Sequence, residues 1–217
     1  MNDLAISQKV TAFFTAYPKR VFSRHHTMLQ AEQELTHIFY LVEGLVSQYD
    51  ITPTGNEVVV NTFKPSTFFP MSVAINKTPN HYFYEASNEV TVHMVPTQDA
   101  VQFIKDNPDV QFDLLSRVYY GVDGVLRRMA HLMGGEAKTR VLFELLNASY
   151  RFGEVQEDGT ITIALNESDL AKRAGMARET VNRLLQDLKQ AGIVRVTHQG
   201  FVIKDQRYLE KMLDNQV

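Results

Sequence analysis

Arg178, Glu179, Asn182, Arg183 and Gln186 are the residues of this chain best placed to do chemistry. At roughly 100° per residue along a helix, they share one arc, and Val181, Leu184, Leu185 and Leu188 share another. A guanidinium can bridge O6 and N7 of guanine, and a carboxylate can accept from N4 of cytosine. A helix showing such groups from its first turns suits the major groove of DNA. A solvated amphipathic helix also carries charges, so the neighbouring elements have to separate the two readings.

Those elements are legible. Asn166 can cap a first helix, with Asp169 three residues on in a capping-box-like arrangement. Leu170 and Ala171 face inward, and Ala174, Gly175 and Met176 make a short glycine-bearing turn. A second helix then runs from about Ala177 to Ala191. Residues 192–196 and 200–203 alternate like strands, joined by a turn through Thr197, His198 and Gln199. Two helices, a tight turn and a hairpin make a winged helix-turn-helix.

The run Gly175, Met176, Ala177, Arg178, Glu179, Thr180, Val181, Asn182, Arg183, Leu184, Leu185 resembles the recognition segment of CRP/FNR-family transcription regulators. The resemblance extends over most of the chain, in residues for the DNA-binding half and more in layout for the rest. It implies that Arg178, Glu179 and Arg183 read a TGTGA-like half-site and that Thr180 meets a phosphate. Ser168, Asn182 and Gln199 complete the DNA-facing set. Asn182 stands where the oxygen-sensing branch commonly has serine. The implied partners are double-stranded DNA, a second copy of the chain and RNA polymerase.

Composition sets the frame. A chain of 217 residues with 44% hydrophobic content can bury one large core or two small ones. No apolar run approaches the 18 or so residues of a membrane span, and the opening residues lack a signal-peptide pattern. A soluble cytoplasmic protein is expected. With no cysteine, disulfides and thiolate-held zinc or iron–sulfur clusters are excluded. The net charge is −3, with 10 Lys/Arg and 13 Asp/Glu in residues 1–133 and 12 of each in 134–217. Neither half is globally basic, so DNA binding has to use a local face (Lys172, Arg173, Arg178, Arg183, Arg195) and to weaken with salt.

The expected fold class is α+β. A first helix covers residues 3–17, with Leu4, Val10, Phe13, Phe14 and Tyr17 on its apolar side. Short strands and turns follow from 19 to 96, including 37–42, 45–49 and 58–63, with the turn 52–57 and a turn glycine at Gly44. That punctuation suggests an antiparallel barrel or roll, and the family resemblance makes it a cyclic-nucleotide-binding-like double-stranded β-helix over 1–108. Over 109–133 a long helix carries Leu115, Val118, Val122, Val125, Met129 and Leu132 at alternating intervals of three and four. Such a seam fits a parallel dimer helix; a helix buried in one globule would be apolar over a wider arc. Gly134 and Gly135 form an expected hinge, and the winged helix-turn-helix occupies 134–217. Inside it, 136–150 is an amphipathic helix with Val141, Leu142, Leu145 and Leu146 inward, 151–159 a polar loop, 160–165 a strand, and 204–213 ends in a helix.

Cyclic-nucleotide sensors of this family hold the phosphate with a Gly-Glu pair at a helix start and an Arg-Ser/Thr pair beyond it. A buried phosphate requires such a cradle. Here the stretches are 68–75 and 80–86, which lack that glutamate and arginine; between Pro65 and Ile104 the one Lys or Arg is Lys77. Cyclic AMP is therefore not expected to bind in the family manner, and no cofactor is expected. The replacements are aromatic, so Phe69, Met71, Ser72, Tyr82 and Tyr84 are the candidate lining for an apolar effector; alternatively these rings only fill the core. His25 and His26 should lie on opposite faces of a strand, while His81, His93 and His131 stand singly, leaving haem as an alternative. A cupin-like metal enzyme would need a His-x-His cluster that is absent, so no catalytic or metal-ligating residues are expected. A non-specific architectural DNA binder is the remaining alternative.

Overall fold

The computed structural model describes residues 3–53 and 55–214; Thr54, in the expected turn at 52–57, lies outside them. In chain order the first elements are α1 (Asp3–Thr15), β1 (Lys19–Phe22), β2 (Thr27–Leu29), β3 (His37–Glu43), β4 (Val46–Ile51), β5 (Glu57–Phe63) and β6 (Thr67–Phe69). Then come α2 (Met71–Asn76), β7 (Phe83–Ala86), β8 (Val90–Pro96), α3 (Thr97–Asp106) and α4 (Pro108–Gly134). The remainder is α5 (Ala137–Phe152), β9 (Glu154–Val155), β10 (Ile161–Ile163), α6 (Glu167–Ala174), α7 (Arg178–Gln190), β11 (Val194–Thr197), β12 (Gly200–Ile203) and α8 (Gln206–Asp214). The chain divides into two compact units, Met1–Tyr120 and Gly121–Val217, and the division falls inside α4. No helix among the described residues is long and apolar enough to cross a membrane.

In the first unit, two antiparallel four-stranded sheets have the orders β1-β8-β3-β6 and β2-β7-β4-β5. Strand β3 shows why. Successive side chains of a strand point to opposite faces, and here both faces are covered. Ile38 and Tyr40 join Val10 and Phe14 of α1, Val95, and Ala100 and Ile104 of α3. Phe39 and Leu41 turn the other way, among Val46, Phe69, Tyr84 and Val92 inside the roll. Fully burying a side chain such as Phe39 contributes about 1.5–3 kcal/mol. After β3, Gly44 has φ +90°, and an added Cβ would lie 2.3 Å from the Glu89 carbonyl oxygen. The turn glycine expected from sequence is thus required twice over.

Three local readings change. The buried stripe of α1 is Ile6, Val10 and Phe14, spaced by four, whereas Leu4 is exposed; two residues from Ile6, it falls nearly opposite that stripe. The segment read as strands alone contains the helix α2, and α3 follows it directly. His25 has φ +64°, so the His25–His26 pair sits in a turn after β1 and the opposite-face geometry of a strand does not arise.

The second unit has its own core. Val141, Leu142, Leu145 and Leu146 of α5 are buried as the periodicity demands, with Leu170, Ala174, Val181, Leu185, Leu188, Phe201, Ile203 and Leu209 around them. Its sheet has the order β11-β12-β10-β9. The loop expected at 151–159 holds the short strand β9, whose Val155 pairs with Ile161. Gly134 is the last residue of α4, and the helical run breaks at Gly135 and Glu136.

Candidate nucleic-acid interface

The start of α6 is capped as its sequence requires: the Asn166 side chain accepts from the Asp169 N–H at 2.8 Å. At its other end Gly175 is left-handed, with φ +62°. The Met176 N–H reaches back to the Ala171 carbonyl at 3.0 Å, the closing bond of a Schellman turn. That turn sets α7 against α6. Val181, Leu185 and Leu188 of α7 are buried, and Leu184 packs partly against the same core. Arg178, Glu179, Arg183 and Gln186 are exposed, as is Gln199 in the β11–β12 turn, while Ser168, Thr180 and Asn182 are half-buried.

Asn182 is half-buried because it faces Glu167, the first residue of α6. With its amide nitrogen turned toward that carboxylate, Asn182 donates to both oxygens at 3.0 Å. The Lys189 ammonium donates to Glu167 Oε1 at 2.8 Å, and the Arg178 guanidinium lies 3.7 Å from Oε2. One carboxylate thereby contacts three residues of α7. Glu167 is not singled out by its local sequence. Its only local signal is an acid in the first turn of a helix, which the helix dipole favours anywhere; contacts 11 to 22 residues along the chain are invisible to periodicity.

Arg173 requires a correction. It was expected on the basic DNA-facing surface, yet it is buried. Its backbone carbonyl accepts from Arg128 Nη2 at 2.8 Å, its guanidinium lies 5.5 Å from the centre of the Phe152 ring, and Arg128 also donates to buried Glu144. Burial lowers the Arg173 pKa to about 10, with Glu144 opposing the shift. The last turn of an amphipathic helix can face a neighbour as well as water, and here α5 supplies the anion. The exposed basic set is therefore Arg178, Arg183 and Arg195, with Lys172 half-buried.

In the first unit the five effector candidates do not form one group. Phe69 and Tyr84 are buried inside the roll, stacked at 5.6 Å, with Phe63 stacked on Phe69 at 4.4 Å. Tyr82 packs partly against that cluster. Met71 belongs instead to the cluster with α1 and α3, and Ser72 is exposed. Burial pushes the Tyr84 hydroxyl above the usual tyrosine range. The histidines have other neighbours: His25 bonds Glu85 at 3.0 Å, His81 bonds Glu32 at 2.8 Å and His93 donates to the Tyr17 carbonyl at 2.7 Å. His131 stacks on Phe143.

Along α4, Leu115, Val118, Val122, Val125 and Met129 are all exposed on the single chain. The apolar arc is wider than the seam alone, because Phe112, Tyr119, Leu126 and Met133 repeat every seven residues beside it and are exposed too. Asp113–Arg117 (2.7 Å) and Asp123–Arg127 (3.0 Å) pair on the remaining surface.

A β-roll in one unit and a capped helix-turn-helix with a wing in the other form the architecture of a DNA-binding regulator. Residues 139–212 match the Crp-like helix-turn-helix domain and residues 19–107 the cyclic nucleotide-binding domain. The chain is 24% identical over 192 residues to the CRP-like cAMP-activated global transcriptional regulator of Mycobacterium tuberculosis, covering 88% of this chain and 85% of that protein. It is 26% identical over 190 residues to the global nitrogen regulator of a Nostoc species, covering 83% of each. Among solved structures, the c-di-GMP-responsive global regulator of Xanthomonas campestris superposes with a TM-score of 0.79 at 14% identity, over 93% of this chain and 99% of that one. The chain belongs to the CRP/FNR family of transcription regulators.

Proposed function

We propose that two copies of the chain pair through the apolar seam of α4 and bind a TGTGA-like palindrome. Each copy lays α7 in a major groove, with half-site centres about 34 Å apart. The observation that carries this reading is the division of α7: Arg178, Glu179 and Arg183 stand exposed on one arc while Val181, Leu185 and Leu188 bury the other. Ala177, at the N-cap of α7, has no side-chain cap bond, so the first-turn N–H groups suit a phosphate near Thr180. Ser168 and Gln199 are assigned to the same DNA-facing set. Gly134 and Gly135 serve as the hinge, and RNA polymerase is the downstream partner. The exposed seam supports pairing, since a row of apolar side chains of this length in water is ordinarily covered.

The roll acts without cyclic AMP held in the family manner, because 68–75 and 80–86 offer no cationic cradle for a phosphate. Any effector is an apolar or aromatic molecule near Phe69, Tyr82 and Tyr84. Relatives named for cAMP and for c-di-GMP support a roll that is not tied to one ligand.

In vitro site selection with the purified chain tests the DNA reading. TGTGA-like half-sites in inverted repeat are expected, and Arg178→Ala or Arg183→Ala should each weaken binding by about 1–3 kcal/mol and relax one base position. Equal affinity for a scrambled duplex at physiological salt would end the proposal. Mobility-shift titration with cyclic AMP should leave affinity unchanged; a saturable enhancement would overturn that part alone.

A further inference from the structure

We infer that Glu167 is a specificity-determining residue that aims Arg178, and that Asn182 serves Glu167 rather than reading a base; this rests on the DNA reading above. Residues 178, 182 and 189 lie four and eleven positions apart, about one and three turns of helix, so all three look the same way from α7. Glu167 meets them from the first turn of α6. Its side chain is 16% exposed, with Lys189 at 2.8 Å and Arg178 at 3.7 Å. Both oxygens also accept from Asn182 at 3.0 Å. An anion at that position is favoured by the N-terminal end of α6, and Lys189 offsets its charge.

The arrangement has consequences for recognition. A guanidinium on a long flexible stem must be oriented before it can make two parallel bonds to guanine. The Glu167 carboxylate restricts Arg178 from behind, while the rest of that side chain, 60% exposed, remains open. The Asn182 NH2 group donates to the same carboxylate and is unavailable to donate to a base edge. Removing the negative charge has two separable effects. Attraction to phosphate rises for every sequence, and the direction of Arg178 loosens, so discrimination falls only at the base that Arg178 reads.

Site selection on Glu167→Gln, Asn182→Ala, Arg178→Ala and the Glu167→Gln/Arg178→Ala double variant tests this, with circular dichroism melting confirming that each folds. Glu167→Gln is expected to reduce preference at the Arg178 base about five- to tenfold while raising affinity for scrambled duplex. Asn182→Ala should weaken preference at that same base and leave the outer bases as in the unmodified chain. In the Arg178→Ala background, Glu167→Gln should change base preference no further. If Arg178→Ala abolishes preference at one base while Glu167→Gln leaves it intact, the inference fails and the DNA reading stands. Altered outer bases in Asn182→Ala would likewise make it a reader and overturn its assigned role. If the unmodified chain shows no base preference, the DNA reading itself fails. Should Glu167→Gln not fold, Glu167→Asp and Lys189→Met carry the same comparison, because each disturbs the carboxylate's position without touching Arg178.

Discussion

The inside of the roll and the inside of the helix-turn-helix unit solve the packing problem with different materials. Around Phe69 the roll is filled by stacked rings and aliphatic side chains from both sheets. The second unit buries Glu144 and Arg173 together with a mainly aliphatic core and draws Arg128 onto both. Apolar filling is non-directional, so shape and volume decide it. Buried charges are directional and intolerant of a missing partner. On the proposed DNA reading, a unit that presents Arg178 and Arg183 in one orientation has more use for the second kind of contact.

Three substitutions put that contrast to the test. The largest effect is expected from Phe69→Ala, which should destabilise the first unit by about 3–5 kcal/mol through lost transfer and a residual cavity. Denaturant unfolding checks this, and the half-site chosen in site selection should stay the same. Glu144→Gln comes next. It keeps the volume but leaves the Arg128 and Arg173 guanidiniums facing a neutral amide, a loss on the order of 3 kcal/mol that thermal unfolding and DNA affinity should both register. A change below about 0.5 kcal/mol would show that the buried charges do not hold α6. Smallest is Tyr84→Phe. It removes a hydroxyl whose ionisation burial already disfavours, and stability should change by less than about 1 kcal/mol. A loss several times larger would mean that the roll, too, depends on a polar contact.

Much of the helix-turn-helix was legible because its signals are local. The Asn166 cap, the left-handed Gly175 and the stripe Val181, Leu185, Leu188 each follow from residue type and helical period. Strand β3 was legible as an apolar run, and Gly44 as its end. What escaped depends on a neighbour far along the chain. Leu4 and Ile6 are both apolar, and only the packing of α1 against β3 and α3 selects Ile6. The short helix α2 lies within a stretch of strand formers. The expected effector lining split because Phe69 and Met71, two positions apart across the end of β6, face different cores.

Residue order alone settled which segments are helices of the helix-turn-helix and which face of α7 is apolar, since both are matters of period and local hydrogen bonding. Tertiary contact decided the rest. It took Arg173 out of the basic face and into the pocket beside Glu144, and it gathered Arg178, Asn182 and Lys189 around the Glu167 carboxylate. The reason is that a charge's role depends on which opposite charge and how much water surround it, and both are supplied by elements brought together only on folding.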